Sequence, residues 1–315
     1  MSKHKILFTN KGIHPYLPQQ LSQYGFDCAF DYVSPKEKIQ IQDYIGIVMK
    51  SRFKPDKAFF DRAKQLKFLA RVGVGFEHID VAYAKKVGIP VLLSPEGSKD
   101  AVGEHALGML LSLFNNLNKA DREIRQGQWI REPNRGVELA GKTVGIIGYG
   151  TMGRSFAKKI SGFEVNTIAY DKYKIDYGDS YARAVSLETI FEESDIISLH
   201  IFYDQMNHYF VNKNFLQRFR KPIYVINTAR GLVLNTADLV AAMKEGKVLG
   251  AALDVLEYEK QSFESFSSEH LPAPYTYLLN SDNVLLSPHV AGWTAESKLK
   301  HAEVLVKKIL SVLSY

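Results

Sequence analysis

The stretch TVGIIGYGTMG, residues 143–153, decides the fold of this chain. Its first five residues are apolar or β-branched apart from one glycine and predict a buried strand, and residues 154–160 predict a helix. Between them the pattern G-x-G-x-x-G is formed by Gly148, Tyr149, Gly150, Thr151, Met152 and Gly153. In this pattern the glycines permit a tight turn, the approach of a pyrophosphate to the backbone, and close packing of helix on strand. Amides at the helix N-terminus would face the phosphates, so the stretch predicts a dinucleotide-binding unit.

An acidic residue follows the next predicted strand, residues 167–170. Asp171 lies 18 residues beyond Gly153. Its carboxylate could accept hydrogen bonds from ribose hydroxyls and would repel a 2′-phosphate, which favours NAD over NADP. Lys172 and Lys174 follow closely and weaken this preference, because a cation there could tolerate the phosphate.

Apolar and amphipathic segments alternate on both sides of this stretch. In the first hundred residues, strands are predicted within 5–9, 26–30, 44–49, 66–71 and 89–93. Further strands are predicted at 143–147, 167–170, 196–199, 224–227 and 250–253. Strands that alternate with helices predict parallel sheets covered on both faces. One long helical stretch, residues 100–130, separates the two series, so we expect an α/β chain of two units.

The composition excludes several classes of protein. The chain has 315 residues, of which 46% are hydrophobic, and a formal net charge of +6, which is typical of a globular protein with two domains. No apolar run is long enough for a membrane span, and no secretory signal or metal cluster is predicted. The single cysteine, Cys28, excludes an internal disulfide, so we expect a cytoplasmic location. The cations are scattered among acidic residues and form no basic stripe of the kind that binds nucleic acid. The modest net positive charge would suit an anionic substrate.

Six segments together resemble the D-isomer-specific 2-hydroxyacid dehydrogenase family. They are the glycine motif, GVGFEHID (73–80), AVGEH (101–105), NTARG (227–231), ALDV (252–255) and SPHVAG (287–292). The resemblance implies two Rossmann-like or flavodoxin-like parallel-sheet domains with the active site in the cleft between them. Residues 1–98 and 288–315 would form the substrate-binding domain, and residues 99–287 the NAD-binding domain.

The resemblance also implies a catalytic set of Arg230, Glu259 and His289. Hydride transfer between C2 of a 2-hydroxy acid and nicotinamide needs a cation that holds the carboxylate and a group that handles the hydroxyl proton. Arg230 can pair with the carboxylate and the adjacent carbonyl oxygen, and His289 can give or take the proton. Glu259 would hydrogen-bond the imidazole and favour its charged form. Lys260 replaces the proline usual in the family, and Glu257 is a second candidate for the same role.

Further binding residues are implied by their positions in these motifs. Asp254 resembles the residue that binds the nicotinamide carboxamide, and His200 and Thr228 resemble residues near the cofactor. The proline that often follows the histidine is absent. Val74 and Gly75 resemble the turn whose amides receive the substrate carboxylate.

Three segments each allow two interpretations. Residues 50–52, Lys-Ser-Arg, could meet a substrate phosphate or form a solvated strand end. Residues 260–280 could be a surface loop or a cover for the site. Trp293 could contact the substrate side chain or fill a contact between domains.

These observations predict an NAD(H)-dependent oxidoreductase of small D-2-hydroxy acids and 2-keto acids. The candidate substrates are 3-phosphoglycerate and hydroxypyruvate or glyoxylate. The alternative is an NAD(H)-sensing binding protein, because the family includes corepressors with the same fold. By the same resemblance, we expect a homodimer formed through residues 100–130.

Overall fold

A computed structural model describes residues 4–259 and 271–314 of the chain. The chain divides into two compact units, Met1–Ser98 with Trp293–Tyr315 (unit 1) and Lys99–Gly292 (unit 2). None of the described helices combines the length and apolarity that crossing a membrane requires.

Unit 1 contains a five-stranded parallel sheet with the strand order β2-β1-β3-β4-β5. The strands are β1 (Lys5–Phe8), β2 (Asp27–Phe30), β3 (Gly46–Met49), β4 (Phe68–Arg71) and β5 (Val91–Leu92). The helices are α1 (Tyr16–Gln23), α2 (Lys57–Arg62), α3 (Val81–Lys86) and the C-terminal α11 (Ala295–Val312).

Alternating side chains of β1 explain why this sheet is covered on both faces. Ile6 and Phe8 pack with α1 and α11, whereas Leu7 packs with α2 and α3 on the opposite face. All three side chains are at most 1% exposed. Neighbouring residues of a strand point to opposite faces, so a strand that is apolar throughout requires helices on both sides.

Unit 2 contains a seven-stranded parallel sheet with the order β12-β11-β10-β9-β6-β7-β8. The strands are β6 (Thr143–Ile147), β7 (Asn166–Tyr170), β8 (Arg183–Ala184), β9 (Ile196–Leu199), β10 (Ile223–Asn227), β11 (Val248–Leu253) and β12 (Val284–Leu286). The helices are α4 (Pro95–Phe114, which begins in unit 1), α5 (Leu117–Arg125), α6 (Thr151–Ile160), α7 (Leu187–Glu193), α8 (Lys213–Gln217), α9 (Thr236–Lys244) and α10 (Ala273–Leu279). The prediction of an α/β protein with two parallel sheets is confirmed. The order of strands reverses between β6 and β9, the kind of position at which open α/β sheets bind ligands.

The structure differs from the sequence prediction in two helical segments. The single stretch predicted over residues 100–130 is two helices, α4 and α5. They are separated at Asn116, whose φ of 52° is left-handed, a conformation that asparagine tolerates better than most residues. In the segment 260–280, residues 260–270 lie outside the described residues. Most of the remainder is α10, which buries Tyr275 and Leu278, so this part is a packed helix and not a surface loop.

Candidate functional site

Six strands of unit 2 end in register at one edge of the sheet. Asn227 at the end of β10 pairs with Leu199 and Leu253, and Ile147 pairs with Tyr170 and Leu199. The residues directly after the six strands therefore share this edge, and they are Gly148, Asp171, His200, Thr228, Asp254 and Ser287. Open parallel sheets bind ligands at the carboxyl ends of their strands, so this edge is the candidate site.

The glycine turn has the geometry that a pyrophosphate needs. Gly148 has a φ of 91°, and a Cβ there would lie 2.7 Å from the carbonyl oxygen of His200. A Cβ on Gly153 would collide with the carbonyl oxygen of Gly148, whereas one on Gly150 would have no neighbour within 4 Å. The backbone at Gly150 is thus open where α6 begins, and amides in the first turn of a helix have no intrahelical acceptor. Thr151 and Met152 form that first turn. These residues fit the pyrophosphate of a dinucleotide.

Tyr149 is engaged inside the protein at each of its polar groups. Its side chain is 2% exposed, and its hydroxyl donates to Oδ1 of Asp179 at 2.7 Å. Its N–H donates to Oδ2 of Asp171 at 2.9 Å, and its carbonyl accepts from Nζ of Lys174 at 2.7 Å. The sequence assigned Tyr149 to cofactor contact. Its N–H and carbonyl already have partners within the protein and its ring is buried, and its contact with a cofactor stays a prediction.

Asp171 lies at the end of β7, as the sequence predicts. Besides the N–H of Tyr149, its carboxylate accepts the N–H of Tyr173 at 3.0 Å. A carboxylate has about four lone-pair sites, so capacity for ribose hydroxyls remains. The ribose contact stays a prediction.

His200 and Thr228 occupy neighbouring strand ends, and each has a buried polar atom without a hydrogen-bond partner among the described residues. Nε2 of His200 lies 2.8 Å from Oγ of Ser198, and the imidazole packs beside Phe156. Burial lowers the pKa of His200 to about 3, so the ring is neutral. Its contact with the cofactor stays a prediction. Oγ1 of Thr228 is buried and has no hydrogen-bond partner within the described residues. A bound polar group at this edge would supply that partner.

Arg230 follows β10 in a turn that is held by buried groups. The side chain of Asn227, 0% exposed, accepts the N–H of Ala229 and donates to the carbonyl of Arg230. A Cβ on the next residue, Gly231, would collide with the backbone of Leu256. The Arg230 turn is thus packed directly on the segment that precedes Glu259.

His289 and Glu259 form a hydrogen-bonded pair. Nδ1 of His289 lies 2.7 Å from Oε2 of Glu259, and the side chains are 27% and 20% exposed. The other carboxylate oxygen of Glu259 accepts the N–H of Leu256. Glu257 is directed elsewhere, because its carboxylate accepts the N–H of Thr236 at 2.9 Å. Of the two candidate glutamates, the structure therefore brings Glu259 to the imidazole.

Asp254 is buried beneath the loop that carries His289. The residue is 1% exposed, and its carboxylate accepts the N–H groups of Val290 and Ala291, each at 2.9 Å. Burial acts to raise the pKa of Asp254, but hydrogen bonds from His105, Ser287 and these amides outweigh it, so the pKa is lowered. The sequence assigned this side chain to the nicotinamide carboxamide. In the structure it supports the 287–291 loop, and a direct cofactor contact stays a prediction.

Two residues of this support were missed by the sequence reasoning. Oγ of Ser287 donates to Oδ1 of Asp254 at 2.6 Å, and Nε2 of His105 lies 3.0 Å from the same hydroxyl. Both residues lie in motifs that resemble those of the family, AVGEH (101–105) and SPHVAG (287–292), yet the motifs alone assign no role to either. The signal that the sequence offers is the presence of a side chain able to form hydrogen bonds in each of these motifs.

In unit 1, the turn after β4 presents two consecutive amides. The N–H groups of Val74 and Gly75 have no acceptor within the described residues. The turn is fixed by Gly73, which has a φ of 133° and exchanges hydrogen bonds with Ser94. A Cβ on Gly73 would collide with the guanidinium of Arg71. Successive unpaired amides of this kind receive anions.

The cations of residues 50–52 have different environments. Arg52 donates to the carbonyl oxygens of Thr9 at 3.0 Å and Asp31 at 2.5 Å, so it has a structural role at the strand end. Lys50 contacts the carbonyl of Gly12 at 3.1 Å. Burial, and then the nearby charges of Lys298 and Arg71, lower the pKa of Lys50 below its usual value.

Comparisons with known proteins agree with this geometry. Residues 107–291 match the model of the D-isomer specific 2-hydroxyacid dehydrogenase NAD binding domain. A glyoxylate reductase of Thermofilum pendens is 36% identical over 292 residues, which cover 90% of this chain and 83% of that protein. A D-3-phosphoglycerate dehydrogenase of Archaeoglobus fulgidus is 34% identical over 87% of this chain, which spans 50% of that longer protein.

A solved structure has the same fold over nearly the whole chain. It is a D-lactate dehydrogenase of Aquifex aeolicus complexed with NAD and lactic acid, with a TM-score of 0.81 and 27% identity. The match covers 98% of this chain and 95% of that one. The chain therefore belongs to the D-isomer specific 2-hydroxyacid dehydrogenase family and is an NAD-dependent oxidoreductase.

Proposed function

We propose that the chain interconverts a D-2-hydroxy acid and its 2-keto acid with Arg230, Glu259 and His289 as the catalytic residues. The observation that carries this proposal is the 2.7 Å contact between Nδ1 of His289 and Oε2 of Glu259. A carboxylate on one ring nitrogen fixes the orientation of the imidazole and favours its protonated form, which suits a histidine that exchanges a proton with a substrate.

Each residue has one task in this reaction. When bound, the cofactor would supply the hydride to C2 as NADH or accept it from C2 as NAD. His289 gives its proton to the carbonyl oxygen during reduction and takes it from the hydroxyl during oxidation. Glu259 stabilises the imidazolium and holds its ring. Arg230 pairs with the carboxylate of the acid through two parallel hydrogen bonds.

Residues 99–287 would bind NAD through the glycine turn and Asp171, and residues 1–98 with 288–315 would form the substrate-binding domain. The unpaired amides of Val74 and Gly75 support a role in receiving the substrate carboxylate. Trp293, 80% exposed, stays a candidate for contact with the substrate side chain.

The charges of unit 1 favour an acid with a second anionic group, such as 3-phosphoglycerate, over glyoxylate. Lys298 and Arg71 lie near enough to Lys50 for their charges to lower its pKa. The charges of Lys298 and Arg71 disfavour the ammonium form of Lys50, and an anion bound there would offset that effect. We expect Lys50→Met to lower kcat/KM about tenfold for a phosphorylated keto acid and little for glyoxylate. Equal losses for both acids would contradict this substrate class.

The proposed reaction is tested by following NADH absorbance with a panel of keto acids. The panel contains glyoxylate, hydroxypyruvate and phosphohydroxypyruvate, each with wild type and His289→Ala. We expect turnover that His289→Ala reduces at least a hundredfold while the variant still binds NADH. Binding of NADH without turnover of any acid would instead favour the sensing protein.

The exposed face of α5 supports a homodimer. None of the residues of α5 is buried, and Leu117 and Ile124, one heptad apart on its surface, are 54% and 51% exposed. Trp129 just beyond the helix is 82% exposed. Such apolar side chains in one segment are typical of an association surface. We propose that two copies of the chain associate through this face of α5.

The cytoplasmic location expected from the sequence stays a prediction.

A further inference from the structure

Three side chains of the segment after β7 converge on one residue of the glycine turn. Asp171 accepts the N–H of Tyr149, Lys174 donates to its carbonyl, and Asp179 accepts its hydroxyl, at 2.9, 2.7 and 2.7 Å. We call these three contacts the Tyr149 network. Tyr149 thereby connects the turn to the segment that carries the predicted ribose ligand, Asp171.

Asp179 is the outer anchor of this network. Its carboxylate also accepts Nε of Arg154 at 2.6 Å and the N–H of Tyr181 at 2.8 Å. Burial acts to raise the pKa of Asp179, but its hydrogen bonds to Tyr149, Tyr181 and Arg154 outweigh this and lower the pKa. Asp179 is therefore anionic at neutral pH. Burial, with the adjacent Asp179, raises the pKa of Tyr149, so its hydroxyl remains a donor.

The Tyr149 network also fixes the position of Lys174, and this position bears on which cofactor binds. An ammonium free to move beside Asp171 would offset the repulsion between that carboxylate and a 2′-phosphate. Here the ammonium is held on the carbonyl of Tyr149. A lysine that the sequence alone would count in favour of NADP is thus engaged by the turn.

We propose that Tyr149, anchored by Asp179, is a positioning residue that sets the preference for NAD over NADP by holding Lys174 on its own carbonyl. The inference rests on the proposed ribose contact of Asp171. Loss of the hydroxyl contact frees the Tyr149 peptide to shift, and the Lys174 ammonium then becomes available to a phosphate.

The test compares dissociation constants for NAD and NADP, measured by isothermal titration calorimetry on the whole chain. Tyr149→Phe removes the anchoring hydrogen bond with little change of shape, and Asp179→Asn keeps an acceptor oxygen but removes the charge that strengthens the bond. We expect both variants to raise the affinity for NADP relative to NAD about tenfold. Adding Lys174→Met to Asp179→Asn should abolish that gain. Adding Lys172→Met, an equal change of charge at an exposed lysine nearby, should leave it.

Several outcomes would overturn the inference. Equal weakening of both cofactors in Asp179→Asn and Tyr149→Phe would show that the network only stabilises the fold. Cancellation of the gain by Lys172→Met as fully as by Lys174→Met would show an effect of overall charge. Asp171→Ala separates the underlying assumption from the inference. If it leaves the affinity for NAD unchanged, the proposed ribose contact is wrong, whatever the Asp179 variants do.

Discussion

Nδ1 of His289 lies 2.7 Å from Oε2 of Glu259, although 30 residues separate the two in sequence. The backbone makes the contact possible at some cost, because His289 has a φ of 56°, in the left-handed region. Its N–H is held by the carbonyl of Asp254 at 2.8 Å. A strained histidine held by a buried neighbour is typical of a site in which the orientation of the ring matters.

Removing the charge of Glu259 should slow the reaction. In Glu259→Gln the side chain keeps its size but no longer stabilises an imidazolium, so proton transfer by His289 is less favourable. We expect kcat to fall about 10- to 100-fold, with the affinity for NADH changed less than about twofold. Stopped-flow rates and NADH fluorescence titration measure the two quantities.

Glu257 offers a matched control for this variant. It lies two residues away, but its carboxylate accepts the N–H of Thr236 at the start of α9. Glu257→Gln should therefore keep kcat within about twofold of wild type. If Glu257→Gln lost as much activity as Glu259→Gln, the two glutamates would have been assigned the wrong way round.

Arg230 should not be replaceable by lysine. The substitution keeps the charge but removes the planar pair of donors that matches a carboxylate. A charge-assisted hydrogen bond contributes about 1.5–3 kcal/mol, so we expect kcat/KM for the keto acid to fall about a hundredfold. Arg218→Lys is the control, since Arg218 pairs on the surface with Glu188. If a high concentration of the keto acid restored the wild-type rate to Arg230→Lys, Arg230 would act only in binding the acid.

Asp254 should make the stability of the protein sensitive to acid. Its pKa is lowered in the folded state, so its stabilising contribution is present above its unfolded pKa, about 4. The contribution is lost as the pH falls through the lower folded value. We expect Asp254→Asn to lower the free energy of unfolding by about 1–3 kcal/mol at pH 7. Below a pH of about 4, the free energy of unfolding should fall less in the variant than in wild type. Urea denaturation between pH 7 and pH 3 measures the free energy of unfolding of both proteins. If the two free energies changed with pH in the same way, Asp254 would not be the source of this acid sensitivity.

Much of the site was predictable because it depends on local pattern. The strand before Gly148 and the helix after Gly153 require only neighbours in sequence, and strand ends in a parallel sheet share an edge. The preference for Glu259 over Glu257 came from the resemblance and not from local pattern, because two residues of one turn differ only in the direction their side chains take. The contact of Tyr149 with Asp179 joins residues without any periodic relation, so no pattern in the sequence marks it.

His200 should add a second, separate dependence on pH. Burial lowers its folded pKa to about 3, whereas the unfolded value is about 6.5. Below pH 6.5 the unfolded chain therefore binds a proton that the folded protein excludes, and stability falls by up to about 1.4 kcal/mol per pH unit. His200→Gln should lose about 2 kcal/mol less than wild type between pH 7 and pH 5, measured by urea denaturation. Identical losses would mean that the imidazole is accessible to protons in the folded state.

The exposed face of α5 should control the oligomeric state. Leu117→Glu places a charge on a side chain that is 54% exposed in one copy, so it should cost the single chain little stability. In a dimer formed through α5, the same charge would be buried without a partner, and dissociation should follow. We expect light scattering to give the mass of a dimer for wild type and of a monomer for Leu117→Glu.

The control for this surface is Leu279→Glu, the same substitution at the last residue of α10 in the same unit, where the side chain is 48% exposed. It should leave the dimer intact, because no neighbouring apolar side chain comparable to Ile124 or Trp129 belongs to its segment in the described part of the chain. A dimer that survives Leu117→Glu but not Leu279→Glu would place the interface at α10. If wild type were a monomer, the exposed side chains of α5 would lie in solvent and the proposed dimer would be wrong. The catalytic assignments would stand, because they rest on contacts within one chain.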